Sequence, residues 1–265
     1  MQTLAEQPIV IKAKASAVSL VAWRPTVGVL FVVTLFYLSQ VIGAIIVQIY
    51  PLIKHWTSAQ ATAWLSSSVV AQFIYILIAE LVVIGGIYWF LRLYRSSWSI
   101  IGLRKPRWRD LAYGLMAVLP YYILYLLSVV VISQFIPGLN VKQQQEIGFT
   151  NIHGTWPLIL TFISLVVLPP LTEEIMVRGF LYSSLKKGLP LFWAALITSL
   201  IFASAHLPEG GASGPLYIAA IDTFVLSLVL IFLREKTGSL WSSITLHAIK
   251  NGVAFFALFI VHMPK

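Results

Sequence analysis

Three groups of polar residues stand inside otherwise apolar runs. PPLTEEIMVRGF, Pro169 to Phe180, holds Glu173, Glu174 and Arg178; SLIFASAHL holds Phe202 and His206; LHAIKNG holds His247, Lys250 and Asn251. A carboxylate, two imidazoles and a carboxamide suit water-driven hydrolysis of an amide. They can supply a base for the water, a ring that helps position or activate it, and donors for the developing oxyanion. Taken singly, each histidine serves as readily as a hydrogen-bonded packing residue; on three helices at comparable depth they form a coherent set. Glu174 and Arg178 are four apart with the acid first, so they pair on one helix face. Glu173 is turned about 100° from Glu174 and has Val177 at its own i+4 position, so that pairing leaves it free. Pro169 and Pro170 loosen the helix just upstream and give water a way in. Two isolated acids, Glu80 and Asp222, are expected to pair with a hydroxyl, Lys250 or Arg178.

The elements that carry these residues are set by composition. Of 265 residues 59% are hydrophobic and only 10% charged, where a soluble domain averages about 25%. A hydrocarbon core of about 30 Å takes roughly 20 apolar residues in a helix, and lipid offers open backbone no partner. The fold class expected is therefore all-α, a polytopic transmembrane helical bundle. Apolar runs between charged breaks give about seven crossings, near 25–49, 68–91, 111–136, 157–182, 190–207, 215–233 and 240–262. Residues 54–67 are too polar to span, and 137–156 reads as an external loop or surface helix. Residues 1–24 form an N-terminal segment without the pattern of a removable signal peptide, and 25–265 form one transmembrane domain.

The sequence contains no cysteine, which excludes thiolate nucleophiles, disulfides, iron–sulfur clusters and cysteine-ligated zinc. Its net charge of +9 is lopsided. Lys12, Lys14, Arg24 and the basic residues of 92–109, 186–187 and 234–236 fall on one side of the crossings, against Lys54, Lys142 and Lys265 on the other. By the positive-inside rule the N-terminus is cytoplasmic. The charge then suits anionic lipid, and nucleic acid is not an expected partner.

In order and spacing, Glu173-Glu174-x-x-x-Arg178-Gly179, Phe202-x-x-x-His206 and His247-x-x-x-Asn251 resemble the three motifs of the type II CAAX prenyl endopeptidases and their bacterial relatives, the CPBP intramembrane proteases. The run Thr237-Gly238-Ser239-Leu240-Trp241 is also similar to that family's approach to its last motif. The match covers about residues 160–255. The resemblance implies a conical bundle around a cavity open toward the cytoplasmic leaflet, with Glu173 and His206 activating water, His247 and Asn251 stabilising the oxyanion, and Glu174 and Arg178 in support. It implies a membrane protein or peptide as substrate, prenylated or not; uncleaved N-terminal insertion and the absence of cysteine suit a bacterial plasma membrane as location. Zinc on Glu173, His206 and His247 stays open as an alternative, with a metal-free glutamate base preferred.

Other readings compete. Gly211-Ala212-Ser213-Gly214 matches the rhomboid tetrapeptide, yet its order relative to the histidines is reversed, and Ser213 reads as a turn residue. A non-catalytic scaffold, such as a bacteriocin-immunity protein, could keep the same residues. An ion or proton path could use Glu80, Asp222, Glu173 and Lys250, but no inverted repeat accompanies them.

Overall fold

The computed structural model describes residues 21–261 apart from positions 137, 144, 146, 147, 150, 151 and 153; the segment 1–20, with the signal-peptide expectation, lies outside them. Among the described residues there is no strand, and seven helices are long and apolar enough to cross a bilayer. The chain is an integral membrane protein.

The first crossing, α1 (Pro25–Ile53), starts on a proline whose fixed φ suits a helix N-terminus. The polar stretch after it forms a short helix, α2 (Ser58–Ser67), closed by a capping box between Thr57 and Gln60. The second crossing is α3 (Val69–Leu93). The third, Trp108–Ser133, is split into α4 (Trp108–Met116) and α5 (Val118–Ser133). Pro120 has no N–H for the Met116 carbonyl, which accounts for the break.

The fourth crossing spans Thr155–Gly188 and twice leaves the α register. After α6 (Thr155–Phe162) comes a π turn at Ile163–Val167, then α7 (Leu168–Glu173), a longer π stretch over Glu174–Leu181, and α8 (Tyr182–Gly188). Pro169 and Pro170 remove two consecutive donors, and the turn before them widens. Such bulges concentrate at functional sites. The remaining crossings contain α9 (Leu191–Ala205), which continues as a 3₁₀ turn to Ser213, then α10 (Tyr217–Thr237) and α11 (Trp241–Phe256). All seven expected spans are present. The described part of 137–156 before Thr155 is turn and coil, and Ser213 ends an exposed turn.

The principal core lies among α1, α3, the fourth crossing and α9. Trp23 stacks on Phe180 with ring centroids 4.8 Å apart and meets Phe90 edge-on at 5.2 Å, while its indole N–H donates to Ser184 Oγ at 2.6 Å. Gly28 permits that approach, since a Cβ there would stand 2.3 Å from Ser184 Oγ. A second core joins Tyr121 to Leu226, Leu230 and Leu246. Apart from Tyr121, α5 buries nothing fully and exposes Leu119, Leu124, Leu126, Leu127, Val130 and Val131, as a lipid-facing helix does.

The two ends of the bundle differ. At the basic end, Arg92 to Arg109 cluster around the connection from α3 to α4, with Lys186, Lys187, Arg234 and Lys236 beside them. This end is tied shut by long-range hydrogen bonds. Leu240 N–H donates to the Gly102 carbonyl at 3.0 Å, Arg104 Nη2 to the Thr237 carbonyl at 2.6 Å, and the Trp241 indole to the Arg104 carbonyl. At the opposite end, formed by α2 and the loops before α6 and α10, the described lysines and arginines are Lys54 and Lys142.

Candidate active site

The three motif helices meet at one cavity of about 360 Å³. Glu173 enters it from the end of α7, His206 from the end of α9, and His247 and Asn251 from α11; all four line it. The Glu174–Arg178 pair inferred from spacing is present, with Nη1 donating to Oε1 at 2.9 Å and both side chains 0% exposed. The guanidinium also lies 4.2 Å from the centre of the Phe202 ring, a cation–π contact in a dry setting. Phe202 is thus the packing surface beneath the arginine, and it carries His206 one turn later.

The histidine hydrogen bonds fix which ring nitrogens face the cavity. His247 Nδ1 stands 2.9 Å from Glu174 Oε1. A carboxylate only accepts, so Nδ1 carries the proton and donates. Nε2 then points toward Glu173, whose Oε2 is 3.8 Å away. His206 Nδ1 lies 2.8 Å from the Phe202 carbonyl and likewise donates, leaving its Nε2 4.0 Å from Glu209 Oε1. Each imidazole is held from behind and presents its other nitrogen forward. Glu173 keeps 27% of its side chain exposed, while Glu174 keeps none. Adjacent in sequence, the two glutamates are divided into a free carboxylate and a buried brace.

Asn251 has a job that its spacing did not reveal. Its Nδ2 donates to the Leu165 carbonyl at 2.9 Å. The α-helical donor to that carbonyl would be residue 169 and the π-helical donor residue 170, and both are proline. The carboxamide replaces the missing backbone donor and fastens α11 to the π turn of the fourth crossing.

The isolated acids also find partners. Asp222 pairs with Lys250 at 3.0 Å and accepts from the Tyr121 hydroxyl; Glu80 lines the cavity and interacts with the Thr172 hydroxyl. Sequence reasoning missed Glu209 as a wall of the cavity, because HLPEGG resembles a loop beyond the crossing. It also missed Gln40 and Tyr75, which form a hydrogen-bonded pair on the same wall. Among the described residues, no three histidine, aspartate or glutamate side chains converge closely enough to ligate one metal ion. Glu173, His206 and His247 stand as separate groups around the cavity.

The cavity lining runs from His247, through Thr223 and Glu209, to Phe259 and Gln145, which approach the lysine- and arginine-poor end.

A family model described as type II CAAX prenyl endopeptidase Rce1-like matches residues 155–253. That stretch is similar to the Rce1-like domain. It begins with the first residue of α6, ends two residues after Asn251, and so contains both glutamates, both histidines and the asparagine. Outside that stretch, α1 and α3 contribute Gln40, Tyr75 and Glu80 to the cavity wall. An uncharacterised 24.3 kDa protein of Escherichia coli is 25% identical over 126 residues, covering 46% of this chain and 56% of that protein. The match thus spans little more than half of that relative's length. No solved structure gives a significant match.

Proposed function

We propose that the protein is an intramembrane endopeptidase that hydrolyses a peptide bond of a membrane-associated protein or peptide with a water activated by Glu173. The observation that carries this reading is the unpaired Glu173 carboxylate facing His247 Nε2 at 3.8 Å on the cavity wall. The separation is too long for a direct hydrogen bond and leaves both atoms available to one water from the cavity side. Glu173 accepts the water's proton as the oxygen attacks the carbonyl carbon. His206 Nε2 orients that water. The proton that Glu173 takes is relayed to His247 Nε2, and the imidazolium so formed, its Nδ1–H held by Glu174, delivers it to the leaving amine as the C–N bond breaks, while the second amide hydrogen of Asn251 is an oxyanion donor. The Rce1-like domain supports the reaction class, and the bacterial plasma membrane remains the proposed location.

The ion-path reading loses support, because Asp222 and Lys250 neutralise each other and Glu80 meets Thr172. The decisive experiment compares peptide termini in membranes expressing wild type and Glu173→Gln. A terminus made only by the wild type supports the proposal. Equal yield from Glu173→Gln would remove the glutamate from the mechanism, and no dependent terminus across growth conditions would favour a scaffold.

A further inference from the structure

Which side of the membrane supplies the substrate is written in two independent features, the distribution of charge and the shape of the cavity. Lysines and arginines near the ends of crossings are retained on the cytoplasmic side, and they set orientation when concentrated in short connections. Here the connection from α3 to α4 alone carries Arg95, Arg104, Lys105 and Arg107, flanked by Arg92 and Arg109, while the loops at the other end show Lys54 and Lys142 among the described residues. The basic end is therefore cytoplasmic.

The cavity faces the other way. Gln145, from the loop before α6, contributes to its lining, as does Glu209 from the turn after α9; no residue of the connections at the basic end does. Between the site and the basic end lies a solid floor. Phe180, Leu181, Ile101 and Leu240 are 0% exposed there, and Trp23 is 1% exposed. Beyond that floor, hydrogen bonds join Gly102 to Leu240 and Arg104 to Thr237. A peptide could reach Glu173 from the basic side only by dismantling the principal core.

Resting on the endopeptidase reading, we infer that the substrates are polypeptide segments presented from the extracytoplasmic side of the membrane, such as exported peptides or the outer juxtamembrane stretches of membrane proteins. Proteins tethered to the cytoplasmic leaflet by a C-terminal lipid are not the substrate class. The mouth chemistry agrees: Gln40, Tyr75, Gln145 and Glu209 offer hydrogen bonds to a hydrated backbone.

The natural absence of cysteine makes the test direct. Single cysteines are placed at exposed Ser58 in α2, at exposed Ser97 in the α3–α4 connection, and at Ala254 on the cavity wall. A membrane-impermeant methanethiosulfonate is then applied to intact bacteria and, separately, to inverted membrane vesicles. Ser58→Cys and Ala254→Cys should react in intact cells, and Ser97→Cys only in inverted vesicles. Labelling of Ser97→Cys from outside would overturn the orientation. Reaction of Ala254→Cys only from the Ser97 side would overturn the direction of opening. Neither result depends on catalysis, so failure here is separate from failure of the endopeptidase reading. If Glu173-dependent termini are found, they should map to extracytoplasmic segments; termini confined to cytoplasmic segments would refute the inference while leaving the protease intact.

Discussion

Replacing Asn251 with alanine removes the side-chain donor to the Leu165 carbonyl. Neither backbone register can replace it, since residues 169 and 170 are both proline. A buried polar group left without a partner costs about 1–3 kcal/mol. Leu165 lines the cavity, where water can partly substitute, so the low end applies, about 1 kcal/mol. For a chain of this size, that is a fall in Tm of about 2–4 °C. The same logic predicts a rescue. Pro169→Ala returns an N–H that can reach the Leu165 carbonyl in α register, so Asn251→Ala should cost much less in the Pro169→Ala background. Thermal unfolding in detergent, followed by tryptophan fluorescence, would measure all four members of the cycle. Additivity within about 0.3–0.5 kcal/mol, the usual result for independent sites, would refute the claim that Asn251 stands in for the donor that Pro169 lacks.

Glu174→Ala should be the most damaging change near the site, costing about 3–5 kcal/mol, because it strands Arg178 as an unpaired buried charge; unchanged expression and Tm would contradict the role of brace. Asp222→Ala should destabilise by stranding Lys250, and adding Lys250→Met should recover much of the loss, as replacing a whole ion pair with apolar groups often does; a double variant no better than the single one would count against the pairing. Two glycine substitutions separate packing from propensity. At Gly114 a Cβ would stand 2.6 Å from the Ser242 carbonyl oxygen, so Gly114→Ala should lose about 1–3 kcal/mol through overpacking of α4 on α11. At Gly85 nothing lies within 4 Å, so Gly85→Ala should be neutral or stabilise by up to about 1 kcal/mol. Equal melting shifts for the two variants would contradict that packing.

The crossings were legible because a bilayer imposes length and apolarity, and these are visible one residue at a time. The Glu174–Arg178 pair was legible because an i,i+4 spacing needs no knowledge of other helices. Asp222 with Lys250 was one of a few pairings that chemistry allowed. What escaped the sequence depends on contacts across the bundle or on departures from ideal helix geometry. Nothing local announces that Glu174 braces His247, or that Glu209 turns back toward His206 from beyond its crossing. Pro169 and Pro170 did signal loosened backbone, but not which side chain would answer the freed carbonyl.

The two π stretches of the fourth crossing bear on how such a helix tolerates change in length. A π bulge amounts to one extra residue accommodated within an α-helix, and each residue corresponds to about 100° of rotation. Removing one residue from Ile163–Val167 could return that turn to α form while preserving the faces on either side. A deletion in the regular part of α8 would instead rotate everything beyond it. Insertions and deletions in this crossing should therefore be tolerated in a pattern that tracks the bulges, and an alignment of related chains that allowed no gaps there would place their glutamates on the wrong face.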